Sequence, residues 1–212
     1  MPDPRQASAH GLLAGGGDLE PGTVLAAYRQ GIFPWPDPEG RLLWWSPDPR
    51  AVLPLDGFRE SRSLRRVRRR FRITRNAAFG AVIRACAVGR GETWITPEIV
   101  AAYERLHAMG WVHSIEAWAG DVLAGGVYGV AVGGLFAAES MFHHVRDASK
   151  VALAALVDEL SAAGFALLDV QLRTDHLASL GVVEIPRDVY LERTATAITL
   201  RTAWKRSTPT IS

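Results

Sequence analysis

The chain has 212 residues, of which 48% are hydrophobic and 22% are charged, and its formal net charge is +2. This average composition excludes wholesale disorder and collagen-like or coiled-coil architecture, and the length is sufficient for a sizeable core. The single cysteine, Cys86, cannot form an internal disulfide, which favours a reducing compartment. The beginning of the chain lacks the basic and apolar runs of a secretion signal, so we expect a cytoplasmic protein. The longest uncharged run, 122–138, is too short and too rich in glycine for a membrane helix, which needs roughly 20 apolar residues.

The first quarter of the chain combines glycine, proline and tryptophan in phrases such as GIFPWPDP and LLWWSPDPR. This composition predicts short helical turns and loops around buried aromatic side chains. We therefore expect a small N-terminal domain over residues 1–58, a larger domain over 59–201 and a flexible tail over 202–212.

Positive charge is concentrated between Arg59 and Arg75, where nine arginines stand against one glutamate. This segment carries a net charge of +8, so the rest of the chain has a net charge of −6. Leu64, Val67 and Phe71 follow the spacing of one helix face, which leaves the arginines on the other faces. A basic helix on an acidic protein indicates a polyanion site, although a solvated helix face is the simpler alternative.

The remainder of the chain shows regular helix and strand patterns. Thr96 as N-cap, Pro97 in the first turn and a stop at Gly110 predict one helix. Glycine-separated apolar runs and a core stripe predict three strands and then a helix with Asp147 as its N-cap and Gly164 as its end. A strand and a short helix follow. The predicted ranges after Gly110 are strands 113–118, 122–132 and 135–142, helix 148–163, strand 165–172 and helix 175–180.

Polar side chains interrupt two of these apolar strands. Asp169 and Gln171 are two residues apart, so we expect them on one face of their strand, with Leu168, Val170 and Leu172 on the other. A carboxylate in an apolar strand is costly unless it is hydrogen-bonded or functional, so Asp169 is either a site residue or half of a structural salt bridge. Glu139 has apolar neighbours on both sides and is either a site carboxylate or a solvent-facing acid.

Other common site patterns are absent from the sequence. The six histidines have no metal-ligand spacing, so we predict no metal site. No G-x-S-x-G elbow, Walker A loop or G-x-G-x-x-G fingerprint occurs. The tryptophans are either core residues or platforms on which nucleic-acid bases stack.

Many short runs, in one order, resemble those of the leucyl/phenylalanyl-tRNA protein transferases from about Gly11 to Leu191. They are GLLAGGGDL, AYRQGIFPW, LLWWSPDPRAVL, SRSLRR, TWITPEIVAAYERLH, HSIEAW, GGVYGVAVG, ESMF, ASKVAL, LLDVQ and HLASLG.

The resemblance implies an α+β fold, in which a small N-terminal α/β domain precedes a domain like the GCN5-related N-acetyltransferases (GNAT-like) with a mixed sheet. The implied reaction moves Leu or Phe from its tRNA to the N-terminal Arg or Lys of a protein, which marks that protein for degradation by the N-end rule. No cofactor and no metal are implied, and we expect a monomer without membrane contact.

The resemblance also assigns site residues. It implies that the side-chain carbonyl of Gln171 contacts the attacking amine, that Asp169 orients Gln171 and that Glu139 lines the same site. The implied apolar pocket for the donor side chain consists of Val127, Phe136, Met141, Leu156 and Leu168. The residues implied to contact tRNA are Trp35 and Trp94 at the terminal adenosine and Arg65, Arg66, Arg68, Arg69 and Arg70 at backbone phosphates.

Some features leave alternatives open. Val127 and Leu156 stand where members of the family can carry Met and Phe, so the preference among Leu, Phe and Met is not fixed. The final proton acceptor is also open, and a ribose hydroxyl is one candidate. An acetyl-CoA-dependent N-acyltransferase and a non-catalytic RNA-binding protein are the competing functions.

Overall fold

The computed structural model describes residues 1–88 and 93–204. After a 3-10 turn at Pro4–Gln6, the elements of the first third of the chain are β1 (Leu12–Gly15), α1 (Pro21–Tyr28), β2 (Phe33–Pro34), β3 (Leu43–Trp45), β4 (Arg50–Val52), α2 (Arg62–Arg68) and β5 (Arg72–Arg75). The elements that follow are α3 (Phe79–Ala87), α4 (Pro97–Ala108), β6 (Val112–Ala119), β7 (Val122–Val132), β8 (Leu135–His143), α5 (Ala148–Ala163), β9 (Leu167–Gln171), α6 (Asp175–Ser179), β10 (Val183–Ile185) and α7 (Arg187–Ala197).

Two sheets organise these elements. A small antiparallel sheet has the strand order β1-β3-β2, and a seven-stranded sheet has the order β10-β4-β9-β8-β7-β6-β5. In the large sheet β8 and β9 are parallel and the other pairs are antiparallel, so the sheet is mixed. The expectation of an α+β fold with a mixed sheet is confirmed. Strand β4, which lies within residues 1–58, pairs with β9 and β10 of the large sheet.

Apolar clusters cover both faces of the large sheet. Tyr128 and Ala137 belong to the cluster that contains residues of α1, α3 and α4. Their neighbours Val127 and Phe136 belong to the cluster that contains residues of α5. Because successive strand residues point to opposite faces, the sheet lies between these two groups of helices.

The regular predictions for residues 96–180 are confirmed in type and order, with small shifts at the ends of the elements. Thr96 caps α4 by accepting a hydrogen bond from the Ile99 N–H at 3.3 Å, as its sequence signature indicates. Gly164 ends α5 in the left-handed conformation that glycine favours. Asp147 is the N-cap residue of α5 as predicted, and its carbonyl accepts from the Val151 N–H at 2.9 Å, but its side chain makes no capping hydrogen bond and pairs instead with Lys150.

The basic helix and the N-terminal region differ in extent from the expectation. Helix α2 ends at Arg68, so Phe71 follows it in a turn, although Phe71 still packs against the same cluster as Leu64. The region expected to form only helical turns and loops contains the eight-residue helix α1 and the small sheet. Trp204, within the expected tail, is buried against Phe165, and residues 205–212 lie outside the described ranges.

Within the described part of the chain, none of the helices has both the length and the apolar character to cross a membrane.

Candidate functional site

The large sheet opens between its two parallel strands. The pairing of β8 with β9 ends at Ala137 opposite Asp169, while β8 continues to His143 and β9 to Gln171. A register shift between β7 and β8 leaves Glu139 as an extra residue, because Tyr128 pairs with Ser140 and the next residue of β7 pairs with Ala138. Such a β-bulge redirects a side chain, and bulges are frequent beside functional sites. The structure therefore brings Glu139, Asp169 and Gln171 together at this opening.

Gly129 makes the bulge possible. A Cβ atom at this position would lie 2.2 Å from the carbonyl oxygen of Ala137 and 2.4 Å from the ring of Phe136. The backbone of β8 therefore approaches β7 more closely than any side chain would allow.

The carboxylate of Asp169 is held in a buried ion pair. The Arg50 guanidinium donates from Nε and Nη2 to its two oxygens, at 2.8 and 2.7 Å, and the Tyr190 hydroxyl donates to Oδ2 at 3.0 Å. Asp169 is 0% exposed and Arg50 is 1% exposed. Burial alone would lower the pKa of Arg50, but the charge of Asp169 and the proximity of Tyr190 raise it, so Arg50 remains a cation. The salt bridge considered from the sequence is present, and it lies at the opening of the sheet.

Gln171 has an unusual backbone conformation. Its φ is +60°, and the N–H of Leu172 donates to the carbonyl of Val170 at 2.7 Å, so Gln171 is the central residue of a γ-turn. Its own N–H donates to Asp169 Oδ1 at 3.0 Å. Its side-chain Nε2 is buried and has no partner among residues 1–88 and 93–204. A positive φ at a residue with a side chain costs about 1–3 kcal/mol and persists only where surrounding contacts enforce it.

The expected alternation along this strand therefore stops early. Val170 is buried as predicted, but Leu172 lies beyond the turn and its side chain is 46% exposed. The prediction that Leu172 continues the apolar face is wrong, because the positive φ at Gln171 ends the strand.

Glu139 belongs to a network of tyrosines. The Tyr103 hydroxyl donates to Glu139 Oε2 at 3.2 Å, and the hydroxyls of Tyr28 and Tyr103 are 2.5 Å apart. The other oxygen, Oε1, is buried and has no partner within the described residues. Burial raises the pKa of Glu139 to about 8, against the smaller opposing effect of the hydrogen bonds from the tyrosines. Glu139 therefore keeps its proton at neutral pH.

The five residues expected to form the donor pocket lie together. Val127 pairs with Met141 across β7 and β8, and Phe136 pairs with Leu168 across β8 and β9. All four pack with Leu156 of α5 in one cluster. This cluster lies on one face of the sheet, and Asp169, which alternates with Leu168, faces the other side. At the opening between β8 and β9, a substrate can contact groups on both faces of the sheet.

Trp35 and Trp94 are also brought together. Their rings stack with centroids 5.3 Å apart and an interplanar angle of 26°, and Trp35 is 36% exposed. A stacked base needs an exposed ring face or a separation of the two rings.

The five expected phosphate-binding arginines fall into two groups. Arg65 and Arg68 both donate to Glu60, at 3.0 Å each, and Arg68 also pairs with Asp158 of α5. The side chains of the other three have no hydrogen-bond or ion-pair partner in the part of the chain that the structure describes. They are Arg66, Arg69 and Arg70.

Sequence reasoning missed four residues of this site, namely Arg50, Tyr190, Tyr28 and Tyr103. Arg50 directly precedes the apolar run Ala51-Val52-Leu53, so it carries the same signal as Asp169, a charge beside a buried strand. The two signals together would have suggested an ion pair. The tyrosines carry no comparable signal, because a tyrosine on an apolar helix face is an ordinary core residue.

No group of three or more His, Cys, Asp and Glu side chains in ranges 1–88 and 93–204 is arranged to hold a metal ion.

Comparison with known proteins identifies the family. The sequence model described as leucyl/phenylalanyl-tRNA protein transferase matches residues 52–195, and the model of the N-terminal domain of the same family matches residues 17–48. A leucyl/phenylalanyl-tRNA protein transferase of Anaeromyxobacter sp. (strain K) is 52% identical over 214 residues, which cover 97% of this chain and 92% of that protein. Proteins of the same name from Shigella dysenteriae serotype 1 and Escherichia coli O1:K1 are 54% identical over 185 residues, which cover 86% of this chain and 79% of each relative. The chain therefore belongs to the leucyl/phenylalanyl-tRNA protein transferase family.

Proposed function

We propose that this protein transfers Leu or Phe from aminoacyl-tRNA to the N-terminal Arg or Lys of an acceptor protein. The observation that carries the proposal is the Gln171 turn, which a buried Asp169 carboxylate holds beside Glu139 at the opening of the sheet. The amine nitrogen attacks the ester carbonyl carbon, a C–N bond forms and the C–O bond to the ribose breaks. The nitrogen loses one proton and the ribose oxygen gains one. Since the ester is already activated, positioning the amine is the main task of the protein.

The polar residues have distinct proposed roles. Gln171 contacts the attacking amine through its side-chain carbonyl oxygen, which accepts a hydrogen bond from the amine, while its buried Nε2 has no partner among residues 1–88 and 93–204. Asp169 orients Gln171 through the hydrogen bond to its backbone N–H. Glu139 lines the same site, and its Oε1, which has no partner within the described residues, is available to a polar group of the substrate.

The apolar cluster beneath α5 is proposed to receive the donor side chain. The residues with this role are Val127, Phe136, Met141, Leu156 and Leu168. The cluster lies across the sheet from Asp169, so the donor would reach it through the opening between β8 and β9. The preference for Leu, Phe or Met as donor then depends on how much space the cluster residues leave when they move apart to admit the donor side chain.

The tRNA is proposed to bind through aromatic and basic side chains. Trp35 and Trp94 stack on the terminal adenosine, for which the exposed ring of Trp35 provides a platform. The arginines at the end of α2 contact phosphates, and such contacts add affinity without sequence preference. The proposed set is Arg65, Arg66, Arg68, Arg69 and Arg70.

A GNAT-like fold for the larger domain is part of the proposal, and the opening between the parallel strands β8 and β9 supports it. An acetyl-CoA-dependent activity is disfavoured by the turn before α5, where phosphates would need free backbone donors. The N–H groups of His144 and Val145 already donate to the carbonyl of Ala124, at 2.7 and 3.1 Å. We propose a cytoplasmic monomer that works without metal or coenzyme.

The test is transfer of labelled Leu, and separately of Phe, from tRNA to a peptide that begins with Arg. A peptide that begins with Ala is the matched substrate control, and Gln171→Ala is the variant. We expect label on the Arg peptide alone and loss of label in Gln171→Ala, while its melting temperature and tRNA affinity remain near wild type. Binding of tRNA without transfer of either amino acid would refute the proposal and favour an RNA-binding protein.

A further inference from the structure

We infer that Arg50 is a positioning residue for this transfer, because it fixes the Gln171 turn and the segment 31–35 relative to each other. The inference rests on the proposed function for its kinetic test, and on the geometry alone for its structural test.

The Arg50 guanidinium is held from every side. Besides its two bonds to Asp169, it donates from Nη1 to the Gly31 carbonyl at 3.2 Å and from Nη2 to the Tyr190 hydroxyl at 3.3 Å. Its central carbon lies 4.7 Å from the ring centre of Phe33 and 4.4 Å from that of Tyr190. Bidentate and stacked contacts of this kind require the planar fork of arginine, and lysine cannot reproduce them.

Arg50 acts on Gln171 through a shared atom. Asp169 Oδ1 accepts from Arg50 Nε and also from the Gln171 N–H. Because one carboxylate oxygen is bonded to both groups, the position of the guanidinium determines where the Gln171 N–H and its strained turn lie. Asp169 accepts hydrogen bonds from Arg50, Tyr190 and the backbone N–H of Gln171, and these bonds together fix the orientation of its carboxylate.

Arg50 also acts on the segment that carries Trp35. Gly31 has a φ of +75°, and a Cβ atom there would lie 2.6 Å from Leu191 and 2.9 Å from Tyr190. The chain at Gly31 is thus packed directly on α7 and bonded to Arg50. Phe33 covers the guanidinium, and Trp35 follows two residues later. One buried side chain therefore links the proposed adenosine contact to the proposed amine contact.

The test uses two variants and two matched controls. Arg50→Lys keeps the charge but loses the fork, and Tyr190→Phe removes only the hydroxyl that donates to Asp169. Arg187→Lys alters a second buried arginine, at the start of α7, which donates to the Pro4 carbonyl and does not touch Asp169. Tyr128→Phe removes a buried hydroxyl that has no partner among the described residues. Each variant is compared for kcat, KM for aminoacyl-tRNA, tRNA affinity and melting temperature, with kinetics measured well below the melting point.

We expect kcat to fall about 100-fold in Arg50→Lys and about 10-fold in Tyr190→Phe, since small misplacements of reacting groups have effects of this size. The tRNA affinity should change less than about threefold, because the proposed phosphate contacts lie elsewhere. The controls should keep kcat even where Arg187→Lys lowers the melting temperature. If Arg50→Lys does not fold, Tyr190→Phe decides alone. Wild-type kcat in a folded Arg50→Lys or in Tyr190→Phe would overturn the inference.

A second measurement is independent of activity. Hydrogen exchange of the Gln171 amide should accelerate about tenfold or more in Tyr190→Phe, while the amides of α4 remain protected as in the wild type. Unchanged protection of the Gln171 amide would overturn the inference even if the kinetics changed. If the wild type transfers neither Leu nor Phe, the proposed function fails. The exchange result still decides whether Arg50, Asp169 and Tyr190 hold the Gln171 turn.

Discussion

Substitution of Glu139 by Gln should change how the stability of the protein depends on pH. The pKa of Glu139 is about 8 because of burial, above its ordinary value of 4.5. Between these values the folded protein keeps a proton that the unfolded chain has released. The free energy of unfolding should therefore fall as pH rises through this window, by roughly 1.4 kcal/mol per pH unit from this group alone. Its contribution is fully present below pH 4.5 and is lost as pH rises through about 8.

The Glu139→Gln variant has no such proton but keeps an acceptor for the Tyr103 hydroxyl. We expect the wild type to lose about 1.4 kcal/mol more stability per pH unit than the variant, as measured by urea unfolding at about pH 5.5, 6.5 and 7.5. Burial also raises the pKa of Glu116, but that group remains in both proteins and its contribution cancels in the difference. Glu184→Gln, at an exposed position of β10, is the control and should keep the wild-type slope. Parallel stability curves for wild type and Glu139→Gln would refute the reasoning.

Two further predictions concern the bulge and the basic segment. Gly129→Ala should lower the free energy of unfolding by about 1–3 kcal/mol and reduce kcat, because the new Cβ would collide with the Ala137 carbonyl. Gly22→Ala is the control, and it should keep stability and kcat near wild type because the space around its Cβ is open. Thermal unfolding and transfer assays measure these effects, and an unchanged Gly129→Ala would contradict the close packing. Removal of the arginines whose side chains have no partner among the described residues should weaken tRNA binding and reduce the slope of log affinity against log salt concentration by about one for each phosphate that is no longer neutralised. An unchanged slope would show that these side chains face away from the tRNA, and the arginines to replace by Ala are Arg66, Arg69 and Arg70.

The second half of the fold could be predicted from the sequence because its signals are local. Helix α4 begins at a Thr-Pro-Glu sequence, α5 ends at Gly164, and glycines separate the strands β6, β7 and β8. The strands of the first third could not be predicted in this way. They have only two to four residues, and β4 exists because it pairs with β9, which lies more than a hundred residues later in the chain. Proline is depleted in strands and therefore argues against them locally, and the strands that stabilise these segments by pairing lie far away in the sequence.

The candidate site shows the same division between local and distant information. Asp169 and Gln171 stand out as polar residues in an apolar strand, and the resemblance assigns them roles. The sequence does not show that Gln171 has a positive φ or that Asp169 pairs with Arg50, 119 positions away. A register shift of one residue places Glu139 beside them, and such shifts follow from close packing at Gly129 rather than from any local pattern.

The charges of this site balance within the protein, and the proposed reaction depends on that balance. Arg50 neutralises Asp169, and Glu139 keeps its proton at neutral pH. An amine attacks as the neutral base, whereas free carboxylates would stabilise its protonated, unreactive form. A site with two acids and no net negative charge therefore offers polar contacts to the amine without favouring ammonium. Loss of Arg50 would leave the Asp169 charge uncompensated, so the same residue that positions the Gln171 turn also keeps the site suited to a neutral nucleophile.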